Sequence, residues 1–306
     1  MKRKNKISIL FLATLVFAFG GFMALKIGLS QSLKLKGNEM MLLSSQGNAQ
    51  MLSIVIKSEN GELVVIDGGW EEDGEHLLNV IQKNGGHVNA WLVTHPHPDH
   101  VGALYYILKN NQDDITIDHI YYSFAPVEWY AEVSPGDEGM VYVLQEEFAK
   151  LSDDILCGSI NQEDRIIVDN MNIIVMNDRY ELNSDPINNS SIVYRIEMNN
   201  KTLLFLGDLG YYGGAELSKD NDSMDLKVDI VQMAHHGQNG VDRNIYEMIS
   251  PKICLWPTPE WLWYNDAGYG PGSGQWETEK TRKWTEELKV EANYCIKDGD
   301  QKIKIE

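Results

Sequence analysis

The run Thr94-His95-Pro96-His97-Pro98-Asp99-His100 constrains this chain more than any other stretch of its 306 residues. Imidazole nitrogens and carboxylate oxygens are donors that suit zinc, manganese or iron. On an extended segment, residues two apart point the same way, so His95 and His97 can grip one metal. Pro96 and Pro98 hold that segment extended and reduce the entropy lost when the donors are ordered. Asp99 and His100 begin the following helix and point elsewhere, where they can serve a second metal; Asp99 also suits a helix N-cap. A lone histidine is most often a core or surface residue. Three histidines and an aspartate within six positions, directly after a short apolar run (Ala90 to Val93), are a metal constellation.

The surrounding pattern is regular. Leu52 to Lys57 and Glu62 to Ile66 read as strands separated by the turn Glu59-Asn60-Gly61. Glu75 to Lys83 reads as a helix ended by Asn84-Gly85-Gly86, Val101 to Leu108 as a second helix, and Val141 to Leu151 as a third. Ile115 to Tyr121 is a further strand. Ile166–Val168 with Ile173–Met176 forms one hairpin, and Ser191 to Ile196 with Thr202 to Leu206 a second. Val228 to Ala234, Ile253 to Trp256 and Gln301 to Ile305 complete the strands. Polar residues with chemistry sit where strands end, which suits layered sheets with outer helices.

The His-x-His-x-Asp-His run resembles that of the metallo-β-lactamase superfamily, and other stations of that family follow in order. Leu63-Val64-Val65-Ile66-Asp67-Gly68-Gly69 is similar to its strand ending in Asp-Gly-Gly; by resemblance Asp67 orients the metal-binding loop. Leu203-Leu204-Phe205-Leu206-Gly207-Asp208 is similar to the strand ending in a carboxylate shared by two metals. Ala234-His235-His236-Gly237 is similar to the last station, where the ligand usually precedes a glycine, favouring His236 over His235. The resemblance covers roughly residues 50 to 300. It implies an α/β fold, an αββα sandwich of two mixed sheets flanked by helices, with a hydrolase domain over residues 51–306. It further implies two divalent ions, zinc first among zinc, manganese and iron. Such a pair lowers the pKa of a shared water so that hydroxide is available near neutral pH, with Asp99 or the unliganded histidine of the 235/236 pair handling the proton.

One departure redirects the chemistry. Many members of the family carry a further histidine before the shared-carboxylate strand, and here that stretch reads Pro186-Ile187-Asn188-Asn189-Ser190-Ser191. This version is similar to the ComEC-type competence proteins and to the phosphorylcholine esterase branch. It points away from β-lactams and lactones and towards phosphoesters, with Asn189 as a substrate contact. A second feature is the crowd Trp256, Trp261, Trp263, Tyr264, Tyr269 and Trp276, interleaved with proline and glycine. Loop aromatics are more often anchors than ligand contacts. The functional alternative is an aromatic wall of Trp256, Trp261, Trp263 and Tyr264 that holds a substrate ring or a quaternary ammonium.

Charge and the N-terminus bear on location and partners. The first 36 residues hold seven Lys or Arg and no acid; the remainder has 19 basic against 45 acidic residues, about −26. So acidic a domain repels a long polyanion, which disfavours nucleic acid and leaves small-molecule or cell-surface phosphoesters. Four cations within residues 2–6 precede the uncharged run Ile7 to Leu25, 19 residues long. That is near the minimum membrane span, so residues 1–25 are expected to be a signal-anchor, or a signal peptide if cleaved, and residues 26–50 a linker. The cations stay cytoplasmic, placing the catalytic domain outside on a single-pass membrane protein, or secreting it after cleavage. Cys157, Cys254 and Cys295 match neither a zinc ribbon nor a disulfide framework. A metal-binding sensor or wall-binding module without turnover, and an exported nuclease, are the competing functions.

Overall fold

The computed structural model describes residues 33–306, and Leu35–Glu306 form one compact unit. The expected membrane segment lies outside the described residues. Among the described residues no helix is long and apolar enough to cross a membrane.

Two seven-stranded sheets face each other. The strands of the first are β1 (Glu39–Leu42), β2 (Ser53–Lys57), β3 (Leu63–Asp67), β5 (Ala90–Leu92), β7 (Ile120–Tyr122), β8 (Leu156–Gly158) and β16 (Gln301–Lys304), in the order β16-β1-β2-β3-β5-β7-β8. Those of the second are β9 (Arg165–Val168), β10 (Met171–Val175), β11 (Tyr194–Met198), β12 (Lys201–Phe205), β13 (Ile230–Gln232), β14 (Ile253–Trp256) and β15 (Ala292–Cys295), in the order β15-β14-β13-β12-β11-β10-β9. A short ladder of β4 (His87–Val88) and β6 (Thr116–Ile117) stands apart. Both large sheets are mixed: β3, β5, β7 and β8 run parallel, as do β12 to β15, while the hairpins at the other ends are antiparallel.

Alternation decides which side chains meet. Ile54, Ile56, Val64, Ile66 and Leu92 from the first sheet pack against Ile173, Ile196, Leu203 and Phe205 from the second. β3 reads Leu-Val-Val-Ile-Asp and is buried along its whole length, as a central strand covered on both faces must be. Helices cover the outer faces. Gly74–Lys83 ends where the Gly86 N–H returns to the Ile81 carbonyl at 2.9 Å, as Asn84-Gly85-Gly86 implies.

Two expectations are corrected. Residues 35–50 are not all tether: Glu39–Leu42 is a fully buried strand between β2 and β16. The strand expected over Ile115 to Tyr121 is divided between β6 and β7, since Asp118 turns out to bond His87 and Asn89. All three cysteines are free thiols, and Cys254 lies in the core.

Candidate metal centre

The constellation assembles where strands of both sheets end. β3 delivers Asp67, which takes the left-handed conformation (φ 52°) despite its side chain and is wholly buried. A strained backbone of this kind persists only when its surroundings enforce it. Here they do: the Asp67 carboxylate accepts the Thr94 N–H (2.8 Å), the Thr94 hydroxyl (2.7 Å) and His100 Nδ1 (2.7 Å). β5 ends at Leu92 and leads into the extended His95–His97 segment. The helix Pro98–Asn110 then starts with proline in its first turn, after His97 at φ −71°, ψ 149°.

Two donor sets result, and both include Asp208. In one, Asp99, His100, Asp208 and His236 offer ligand atoms within 4.8 Å of one another; in the other, His95, His97 and Asp208 do. The tautomers are set by bonds on the far side of each ring. His100 Nδ1 is engaged by Asp67 and His236 Nδ1 by the Pro257 carbonyl (3.2 Å), which leaves both Nε2 atoms facing Asp208. His95 Nδ1 lies 3.1 Å from the Thr94 hydroxyl and 3.3 Å from that of Ser191, so its Nε2 is free to meet His97 Nδ1 at 3.0 Å.

Whether a metal fits can be judged from polar atoms that lack a partner. His100 Nε2, His236 Nε2 and Asp208 Oδ1 are buried; His100 and His236 Nε2 stand 3.1–3.2 Å from carboxylate oxygens of Asp208 and Asp99, yet none of the three atoms has a well-directed hydrogen bond. Leaving three such atoms unsatisfied would cost about 1–3 kcal/mol each, and their convergence is what a cation resolves. The buried His/Asp cluster therefore suggests two divalent metals, and the residues present fit them.

Electrostatics divides the two sets. Burial pulls His95 well below the ordinary imidazole range, reinforced by His100 and His97, and burial also lowers His97. Burial acts the same way on His236, but the Asp208 and Asp99 carboxylates outweigh it and hold that ring up at about 9. His100 is likewise raised, by Asp208 and Asp67 against its burial. Burial pushes Asp99 up, and the His236 ring 3.1 Å away and the His100 charge more than reverse the effect, so its carboxyl falls below the usual range.

Two glycines let the loops close. A Cβ on Gly237 (φ 77°) would lie 2.5 Å from the buried Trp256 ring, which is why the residue after His236 is glycine. A Cβ on Gly207 (φ 56°) would press at 2.9 Å on both Thr94 and Ser191, the two residues that orient His95.

The other residues singled out in sequence separate clearly. His235 belongs to neither donor set; it sits at φ 50°, with Nε2 3.5 Å from Asn188 Nδ2. Asn189 is turned to backbone. Its Oδ1 accepts the Gly210 and Gly213 N–H groups and its Nδ2 donates to Ser184 O, so the amide is spent on holding backbone. Trp256 is fully buried beneath Gly237, and Trp263 packs edge-on against it at 5.2 Å under the Arg282 guanidinium; both are anchors. Trp261 and Tyr264 line an open cleft of about 390 Å³ together with Glu260 and Asp266. Sequence reasoning missed Thr94, Ser191 and Asn188. Thr94 and Ser191 act through bonds to Asp67, His95 and Asp208, for which only their position next to motif residues is a signal.

Residues 48–252, more than half of the chain, match the family model of the metallo-beta-lactamase superfamily. No curated protein matches the chain in sequence. Among solved structures, the metallo-beta-lactamase fold protein YhfI from Bacillus subtilis is 12% identical over 87% of this chain and 99% of its own, with a TM-score of 0.52. Yeast PDE1 is 11% identical over 88% and 99%, with a TM-score of 0.51. CmlA beta-hydroxylase is 10% identical over 87% of this chain and 53% of its own, with a TM-score of 0.52. At such identities the likeness is one of fold. With the family model matched and two His/Asp donor sets meeting at Asp208, the chain belongs to the metallo-beta-lactamase superfamily.

Proposed function

We propose that the chain is a metal-dependent hydrolase of phosphoesters that acts outside the cytoplasm on a small or cell-surface substrate. The observation that carries the reading is the sharing of Asp208 between a four-donor set that is buried throughout and a three-donor set that is buried except for the half-buried His97. In place of a further imidazole, the 186–191 loop brings the Ser191 hydroxyl against His95, so the three-donor set keeps open positions for substrate oxygens. When bound, zinc, manganese or iron would activate water and offset the charge that develops on the substrate. His95, His97, Asp99, His100, Asp208 and His236 would hold the ions, and Asp67 would hold His100 in its ligating tautomer. Asp99 is the least enclosed carboxylate of the cluster and is held ionised by its histidine neighbours, so it is placed to accept a proton from water. Metal content measured beside turnover of bis-p-nitrophenyl phosphate tests the proposal; full metal loading with no ester hydrolysed would favour a metal-binding sensor instead.

A finer reading concerns the substrate. The cleft of Trp261 and Tyr264 is tied to the metal centre: Trp261 follows three residues after Thr258, whose hydroxyl donates to the His236 carbonyl at 2.6 Å. Two rings beside the carboxylates of Glu260 and Asp266 suit an organic cation such as a quaternary ammonium. That supports a phosphorylcholine-type ester, in line with the resemblance of the 186–191 loop and His-His-Gly to the phosphorylcholine esterase branch. A preference for p-nitrophenyl phosphorylcholine over bis-p-nitrophenyl phosphate is expected, and its absence would remove this refinement. The net charge of −19 argues against the nuclease alternative, which predicts DNA cleavage that falls steeply with salt.

A further inference from the structure

We propose that Tyr211 and Tyr212 are specificity-determining residues, a fixed aromatic platform beside the metal centre that stacks on a ring carried by the substrate beyond its phosphoryl group. This rests on the phosphoesterase reading above. Isolated exposed aromatics are ordinary on a protein surface. These two are adjacent, 57% and 55% exposed, and their rings meet edge to face at 5.2 Å. They open the helix Tyr211–Asp220 three residues after Asp208, so the Cα atoms of Tyr211 and Asp208 are at most about 11 Å apart.

The segment that carries them is held firmly. Asn189 Oδ1 accepts the N–H groups of Gly210 (3.0 Å) and Gly213 (2.9 Å), on either side of the pair, while Asn189 Nδ2 is fastened to Ser184 O at 2.7 Å. Gly210 also bridges Gly240 across the loop that follows His236, and Leu209 is fully buried. Beside Asn189, Asn188 bonds Asp185 at 2.9 Å and reaches His235, the neighbour of His236 in the chain, at 3.5 Å. Rings displayed on a pinned backbone lose little freedom when they meet a ligand. Their faces offer stacking to an aromatic or sugar ring and far less contact to a short alkyl group.

The test uses the metal-loaded full chain with phenyl p-nitrophenyl phosphate and methyl p-nitrophenyl phosphate. The wild type is expected to show a lower KM for the phenyl ester, by roughly three- to tenfold, the scale of one or two aromatic contacts. Tyr211→Ala with Tyr212→Ala should bring the KM ratio close to one, a ratio that partial misfolding would not move. The double change to phenylalanine should keep it. A phenyl preference that survives the alanine changes, or a wild type without one, overturns the platform. If the wild type hydrolyses neither ester, it is the phosphoesterase reading that fails. The platform is then judged by binding of phenylphosphonate against methylphosphonate in calorimetry: a phenyl preference lost with both alanines sustains it, and equal affinities overturn it.

Discussion

Asp67 shows how much of this centre is carried by a residue that touches no metal position. Its carboxylate takes the Thr94 amide, the Thr94 hydroxyl and the His100 ring at once, and Thr94 in turn stands against His95. One side chain thus orients a histidine in each donor set. Asp67→Asn should lower metal affinity roughly 10–100-fold with the fold retained, as competition against a chelator beside far-ultraviolet circular dichroism would show; unchanged affinity would mean the orientation matters little. The neighbouring histidines of the last loop give a sharper contrast. His236→Ala removes a donor of the four-member set and should cost one of two metals, whereas His235→Ala should keep both, read as metal per chain by mass spectrometry. Sequence alone favoured His236 because a glycine follows it, and the cause is now visible in the Trp256 ring lying where a Cβ would go. Asn189 was legible as a notable residue, but the bonds it makes were not. Its partners are the backbone amides of Gly210 and Gly213, and a spacing pattern carries no trace of them.

Among elements, the segments after β3 and β5 in the first sheet and after β12, β13 and β14 in the second do the positioning, and the tight turn at His235-His236-Gly237 is the most constrained of them. Two successive non-glycine residues in left-handed conformation, then a glycine at φ 77°, present the His236 ring to Asp208. Gly237→Ala adds a clash at 2.5 Å with a fully buried ring and a disfavoured backbone. A loss of about 2–4 kcal/mol is expected, seen as a lowered urea midpoint with unchanged slope, and no loss would mean that Trp256 moves aside freely. Elements with strong local periodicity were legible: β3 falls on its apolar run and the helix Pro98–Asn110 contains the apolar pattern of Val101 to Leu108, although Pro98, expected to hold the chain extended, stands in the helix's first turn. β1 was not. Its four residues sit in a polar stretch, and what makes Glu39–Leu42 a strand is pairing with β16, more than 250 residues away. The aromatic stretch was legible as a loop, but its division into anchors and cleft was not, because Trp256 and Trp261 differ only in which side of the chain the core lies.

For the whole molecule, the closing of the first sheet by its last strand ties the two ends of the domain together, and Asp300 is the fastening. It precedes β16, accepts the Ser44 amide and hydroxyl at 2.9 Å each, and pairs with His76 Nε2 at 3.0 Å. It therefore joins the C-terminal strand to the segment after β1 and to the helix Gly74–Lys83. Burial pushes the Asp300 carboxyl up, but the bonds from His76 and Ser44 outweigh that and hold it below the usual carboxylate range. A carboxylate whose folded pKa is depressed contributes stability that is fully present above its unfolded pKa and is lost as pH falls through the folded one. The ionised form is thus favoured by folding at neutral pH and has nothing left to contribute in strong acid. Asp300→Asn should cost about 1–2 kcal/mol at pH 7, and the difference from wild type should shrink as pH drops below about 4. Thermal melts of both proteins in the metal-free state, from pH 7 down to 3, measure it, so that protonation at the metal centre cancels between them. A gap that stays constant across that range would show that shape rather than charge makes the fastening.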